Sequence, residues 1–164
     1  MLTLAKAGVP YELVESTPGR ASLVARLKGD GSARPLLLLA HLDTVGAEAQ
    51  RWSFPPLAGD EVDGAVRGRG AVDDKSMAAV FAVVLADLAR RGPKLKRDVI
   101  FAATADEESG GQWGVRWLLE NRPQLLAAEP RSLSDPDGLC VRSTSNLHAT
   151  SPKDDPQAAE QGQC

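Results

Sequence analysis

Cysteine is scarce in this chain, and long apolar runs are missing altogether. Its 164 residues contain two cysteines, Cys140 and Cys164, both in a polar C-terminal stretch. Two such thiols do not staple a small secreted fold, and in a reducing compartment they are expected to stay free. No apolar run approaches the roughly 20 residues needed to span a bilayer, which excludes a transmembrane helix. Excess charge of either sign is also lacking: 19 basic against 22 acidic residues give a formal net charge of −3. That leaves no basic field for nucleic acid and no polybasic patch for a membrane surface. The first residues, Met1-Leu2-Thr3-Leu4-Ala5-Lys6, lack the charged head, apolar stretch and cleavage site of a secretory leader. A cytoplasmic protein is expected. No internal repeat is present.

What the chain does contain is apolar segments alternating with turn signals, up to about Glu129. Residues 11–14 and 23–27 are short β-compatible segments separated by Thr17-Pro18-Gly19, a turn signal. Pro35 introduces Leu36-Leu37-Leu38-Leu39-Ala40, an uninterrupted apolar run that suits a strand buried on both faces. Asp63-Gly64, between Val62 and Ala65-Val66, reads as a hairpin turn. A helix is predicted from about Lys75. Met77, Val80, Phe81, Val84, Leu85 and Leu88 form its apolar stripe, Arg90 and Arg91 lie in the last turn, and Gly92-Pro93 stops it. Val99-Ile100-Phe101-Ala102-Ala103 reads as a second buried strand, and residues 113–119 as a further helix. This order predicts an α/β fold, a mixed and mainly parallel sheet with covering helices.

After Glu129 the composition shifts to Ser, Thr, Pro and Gln. Residues 1–129 are therefore expected to form one folded domain. Residues 130–164 are expected to be a low-complexity tail, disordered or produced by a frameshift.

Three polar clusters sit where the buried strands end, the place where open α/β sheets usually bind ligands. His41-Leu42-Asp43 follows the first strand. Residues two apart in extended chain project to the same side, so Asp43 is placed to accept a hydrogen bond from the distal ring N–H of His41. The pattern is short and common, and a satisfied, partly buried histidine beside a loop carboxylate explains it equally well. Gly68-Arg69-Gly70-Ala71-Val72-Asp73-Asp74-Lys75 precedes the helix. Its aspartates suit a helix cap, or else one carboxylate bridging two metal ions about 3.5–4 Å apart. Asp106-Glu107-Glu108-Ser109-Gly110-Gly111 follows the second strand. Adjacent acids are tolerated when solvated or when a cation neutralises them. Taken together, the clusters supply a nitrogen ligand and several carboxylate oxygens, a donor set for Zn²⁺ and also for Mn²⁺ or Co²⁺. One glutamate is left over to act as general base.

These three clusters, together with Trp52, Pro55-Pro56 and Gly59, resemble the N-terminal motifs of the metallohydrolase family of acetylornithine deacetylase, succinyl-diaminopimelate desuccinylase, aminoacylase and glutamate carboxypeptidase. The resemblance covers residues 9–129. It implies two zinc ions, with His41 binding one, Asp73 bridging both and Glu108 binding the second. It also implies that Asp43 orients His41, that Glu107 is the general base, and that the Asp73–Asp74 peptide bond is cis. The implied reaction is zinc-assisted hydrolysis of an amide in an N-acyl amino acid or a small peptide.

The family pattern continues with a further acidic ligand, a further histidine and a smaller inserted domain that mediates dimerisation. Asp137 and His148 are weak stand-ins for the two ligands, and the inserted domain has no counterpart. The chain is thus expected to be an N-terminal fragment with weak or no activity. The alternative is a non-catalytic remnant that keeps the fold and binds at most one metal ion.

Overall fold

The computed structural model describes residues 2–126 and 140–143. A short helix α1 (Leu2–Lys6) leads into β1 (Tyr11–Glu15) and β2 (Ala21–Leu27), and these are followed by β3 (Leu36–His41). A small hairpin, β4 (Asp60–Val62) and β5 (Ala65–Arg67), precedes the long helix α2 (Ser76–Arg91) and the strand β6 (Val99–Thr104). Then come α3 (Val115–Asn121), α4 (Pro123–Leu126) and β7 (Cys140–Ser143).

The main sheet has the order β1-β2-β6-β3-β7. β2 pairs antiparallel with β1 and with β6, while β3 runs parallel to β6 and to β7. The expected mixed sheet is present. β6 lies in its centre with all six residues buried. Its side chains alternate between two cores, as strand geometry requires. Val99, Phe101 and Ala103 pack with Leu4, Ala78 and Leu85 on the α1/α2 side, and Ile100 and Ala102 pack with Leu118 and Leu126 on the α3/α4 side. Helices therefore cover both faces of the sheet.

Three details differ from the sequence reading. The apolar stripe of α2 is offset: Leu85, Ala78 and Ala86 are buried, whereas Val80 and Val84 are 49% and 42% exposed. Alanines let the helix approach the sheet, so its contact line runs through Ala78, Ala82 and Ala89 as well as the expected Met77, Phe81, Leu85 and Leu88, with Val80 and Val84 on the flank. α3 begins at Val115, after a turn holding Trp113 and Gly114. β7 pairs with residues 36–39 of β3, although no strand was expected beyond Glu129. Backbone ladder bonds alone can add a four-residue strand without an apolar run to announce it. The rest of the expected tail lies outside the described residues.

The predicted turns are present. Asp63 (φ 53°) and Gly64 (φ 74°) form the two-residue hairpin loop. Gly92 ends α2 in the left-handed conformation, its N–H donating to the Leu88 carbonyl.

Candidate metal centre

β3 and β6 run side by side, with His41 registered opposite Thr104. Their carboxyl ends deliver His41-Leu42-Asp43 and Asp106-Glu107-Glu108 to the same edge of the sheet. The turn ahead of α2 brings Asp73 and Asp74 to that edge as well, with a cis peptide bond between them, as the family resemblance implied. Gly70 makes room for this turn. Its φ is +75°, and a Cβ there would lie 2.3 Å from Thr44 Cγ2.

His41 is 3% exposed, and its backbone N–H and both ring nitrogens have partners. Its backbone N–H donates to Asp74 Oδ2 at 3.3 Å. Its Nδ1 faces the backbone carbonyl oxygen of Asp43 at 3.1 Å. A carbonyl can only accept, so Nδ1 donates to it, which leaves Nε2 as the nitrogen that can exchange its proton for a metal ion. Nε2 lies 3.0 Å from Asp73 Oδ1 and 3.9 Å from Glu107 Oε2. Burial pulls the His41 pKa down, but the Asp73 carboxylate, helped by Glu107 and Asp43, more than offsets this and holds it above the ordinary 6.5.

Asp43 corrects one expectation. Its carboxylate stands 3.6 Å from His41 Nδ1, beyond hydrogen-bond range, and instead accepts the backbone N–H groups of Glu107 at 3.1 Å and Glu108 at 3.0 Å. The main-chain carbonyl of Asp43 is what orients the imidazole. The sequence pattern placed the two residues together but could not tell carbonyl from carboxylate.

His41, Asp73 and Glu108 each offer a ligand atom, and the three atoms lie within 4.8 Å of one another. One nitrogen and two carboxylate oxygens at that spacing suit a divalent ion with bonds of about 2.0–2.2 Å after small side-chain rotations. The donor set therefore fits a metal ion. Glu108 is already oriented, since its Oε1 accepts the Val45 N–H at 3.3 Å. The five residues singled out in the sequence thus meet at one place, whereas Asp137 and His148 lie outside the described residues.

Three supporting residues were not anticipated from the sequence. Asp74 is buried and holds the His41 backbone. Lys75 Nζ donates to the Leu42 carbonyl at 2.8 Å. Asp106, 2% exposed and left-handed (φ 68°), pairs with Arg20 at 3.3 Å and accepts the Trp113 N–H at 3.0 Å. Asp74 and Lys75 belong to a run that reads as a helix cap, and Asp106 to one that reads as a solvated acidic loop, until the backbone path is known. Arg69, on the way to the Asp73 turn, stacks on Trp52 with its guanidinium carbon 5.1 Å from the ring centroid.

Residues 37–153, more than half of the chain, match the profile of Peptidase family M20/M25/M40. The chain belongs to this family. A succinyl-diaminopimelate desuccinylase from Methylobacterium sp. (strain 4-46) is 37% identical over 149 residues, 83% of this chain and 36% of the relative. An N-fatty-acyl-amino acid synthase/hydrolase from Xenopus tropicalis is 37% identical over 91 residues, 56% of this chain and 18% of the relative. Among solved structures, the M20 metallo-carboxypeptidase Sso-CP2 from Sulfolobus solfataricus superimposes with a TM-score of 0.62 at 21% identity, over 77% of this chain and 28% of its own. Human carnosine dipeptidase 1 does so with a TM-score of 0.59 at 24% identity, over 72% and 27%. The chain therefore spans about a fifth to a third of the length of these M20 relatives. Among the described residues, no helix is long and apolar enough to cross a membrane.

Proposed function

We propose that this chain carries the metal-binding half of a zinc-dependent hydrolase that cleaves amide bonds in N-acyl amino acids or small peptides. One observation carries the reading: His41 Nε2, Asp73 and Glu108 converge as a three-ligand group, with the Glu107 carboxylate 3.9 Å from the same imidazole nitrogen. The M20 relatives similar over much of this chain are named for succinyl-diaminopimelate and for fatty-acyl amino acids, and this supports an N-acyl amino acid as substrate.

In this reading His41, Asp73 and Glu108 hold the metal, and Asp73, with two oxygens, is the residue suited to bridge a pair of zinc ions. Co²⁺ and Mn²⁺ are acceptable substitutes for this donor set. Bound metal supplies Lewis acidity and a water acidic enough to lose its proton near neutral pH. Glu107 is the residue that would accept a proton from water at this site and return one to the departing amine nitrogen. Its carboxylate is 40% exposed, so solvent and substrate can both reach it. The carboxylates of Asp43 and Asp74 accept backbone N–H groups and act by holding other residues in place. A cytoplasmic location belongs to the same reading and rests on the scarcity of cysteine and the even charge balance.

A second reading is a protein that binds a single ion without catalysis. It is favoured by the described residues' forming one three-ligand group. Elemental analysis of the purified protein, wild type beside Glu108→Ala, separates the two. Two zinc ions per chain, reduced in the variant, support the hydrolase and lead directly to an amide-hydrolysis screen. One ion supports the second reading, and no bound metal in either protein overturns both.

A further inference from the structure

The loop that carries Glu107 and Glu108 is capped from a distance. Residues 107–109 form one 3₁₀ turn, which Asp106 precedes in the capping position. The first N–H groups of any helical turn lack partners within it, and an aspartate just ahead of the turn is well suited to supply them. Asp106 does not do so. Its carboxylate is committed to Arg20 and to the Trp113 N–H, and it makes no capping bond. The two N–H groups are taken instead by Asp43, one on each oxygen, at 3.1 and 3.0 Å, across a separation of 64 and 65 residues.

We propose that Asp43 is a positioning residue whose carboxylate fixes the Glu107–Glu108 backbone relative to His41, so that ligand and general base hold their registration. This inference deepens the hydrolase reading and rests on it for the roles of Glu107 and Glu108. The hydrogen bond between the imidazole and Asp43 is made by the carbonyl oxygen, which every side-chain substitution leaves in place, while the carboxylate stands off at 3.6 Å. The carboxylate has a different task, and an ionised acceptor with two oxygens is what two adjacent N–H donors require. Asparagine could satisfy one of them and would turn its NH₂ toward the other; alanine would satisfy neither.

The test is residue-resolved amide hydrogen exchange on the metal-free full chain, with the ¹⁵N signals of the His41 ring recorded alongside. In the wild type the Glu107 and Glu108 amides should be protected, although they lie in a short loop turn. In Asp43→Ala both should exchange at least about tenfold faster, the loss expected for charge-assisted hydrogen bonds, and in Asp43→Asn one of them should. Amides of the central strand, such as Ile100, should not change, and Nδ1 of His41 should keep its proton. Zinc affinity, measured separately, should fall roughly 10–100-fold in Asp43→Ala, as when an outer partner of a ligand is removed.

Unprotected Glu107 and Glu108 amides in the wild type would overturn the proposal, whether or not any variant folds. So would an Asp43→Ala protein whose only change is in the His41 ring. Failure of the wild type to bind zinc would sink the hydrolase reading while leaving the exchange result to decide the clamp.

Discussion

The ammonium group of Lys75 donates to the carbonyl oxygen of Leu42 at 2.8 Å, joining the turn that presents Asp73 to the loop that presents His41. Leu42 lies between His41 and Asp43, so this bond fixes the distance between two metal ligands from outside the ligand set. Lys75→Met is expected to weaken zinc binding several-fold by isothermal titration. Lys75 is exposed, so thermal stability should change by no more than about 1 kcal/mol. A loss of stability without a change in zinc affinity would count against the tether.

Proton and metal compete for His41. With its pKa held above 6.5 by Asp73, Glu107 and Asp43 against the pull of burial, the metal-free fold binds that proton more tightly than the unfolded chain does. The stabilising contribution is complete below the unfolded value and disappears as pH rises through the native one. The melting temperature of metal-free wild type should therefore exceed that of His41→Asn most clearly at mildly acid pH, with the gap narrowing above neutrality. Zinc affinity should move the opposite way and increase over the same range. Thermal melts in chelator and zinc titrations at several pH values check both trends.

At the opposite end of β6, Asp98 accepts the Gly29 N–H at 2.8 Å and pairs with Arg26 at 2.8 Å and Lys28 at 3.1 Å. Burial raises its pKa, but the Gly29 N–H, Lys28 and Arg26 together hold it below the ordinary 3.8. A lowered carboxylate contributes stability above the unfolded pKa and loses it as pH falls through the native one. Asp98→Asn should cost about 1–3 kcal/mol at neutral pH, with the difference from wild type closing only well below pH 4. Urea melts at pH 7 and pH 3 measure the two ends.

Gly114 lies against the acidic loop so closely that a Cβ would stand 1.9 Å from the Ala105 carbonyl oxygen. Backbone cannot yield there as a flexible side chain would. Gly114→Ala should destabilise the fold by about 1–3 kcal/mol or more, and it should also displace Asp106, whose carboxylate holds the Trp113 N–H. A denaturation midpoint equal to that of the wild type would refute the close approach.

Much of this arrangement was legible in the sequence, and for physical reasons. The run of leucines ahead of His41 and the run from Val99 to Ala103 could hardly be anything but buried strands. Strand ends followed by acids and histidine then located the centre. Asp63-Gly64 and Gly92 announced their turns through the conformations they tolerate. The division of labour within each acidic run could not be read. Asp73 and Asp74 are neighbours, yet one is 57% exposed in its side chain beside the imidazole and the other is 3% exposed beneath the His41 backbone. Only the path of the turn decides which is which. The offset of the α2 stripe was hidden for a similar reason, because alanine weighs little in an apolar pattern but sets how close two layers can come. β7 had only the short apolar stretch Leu139-Cys140-Val141 in a polar surrounding, too little to announce a strand.

The crossover from β3 through α2 to β6 has a consequence in polymer terms. His41 and Asp73 are 32 residues apart along the chain, and Asp73 and Glu108 are separated by a similar span. Closing loops of this size costs less than recruiting the same donors from distant segments, by about 0.6 kcal/mol for each doubling of the span. The crossover itself is held by the parallel ladder and by the helix packed on it. Most of the entropy needed to gather these three donors is thus met by the ladder and the helix packed on it, leaving the ion's binding energy for coordination.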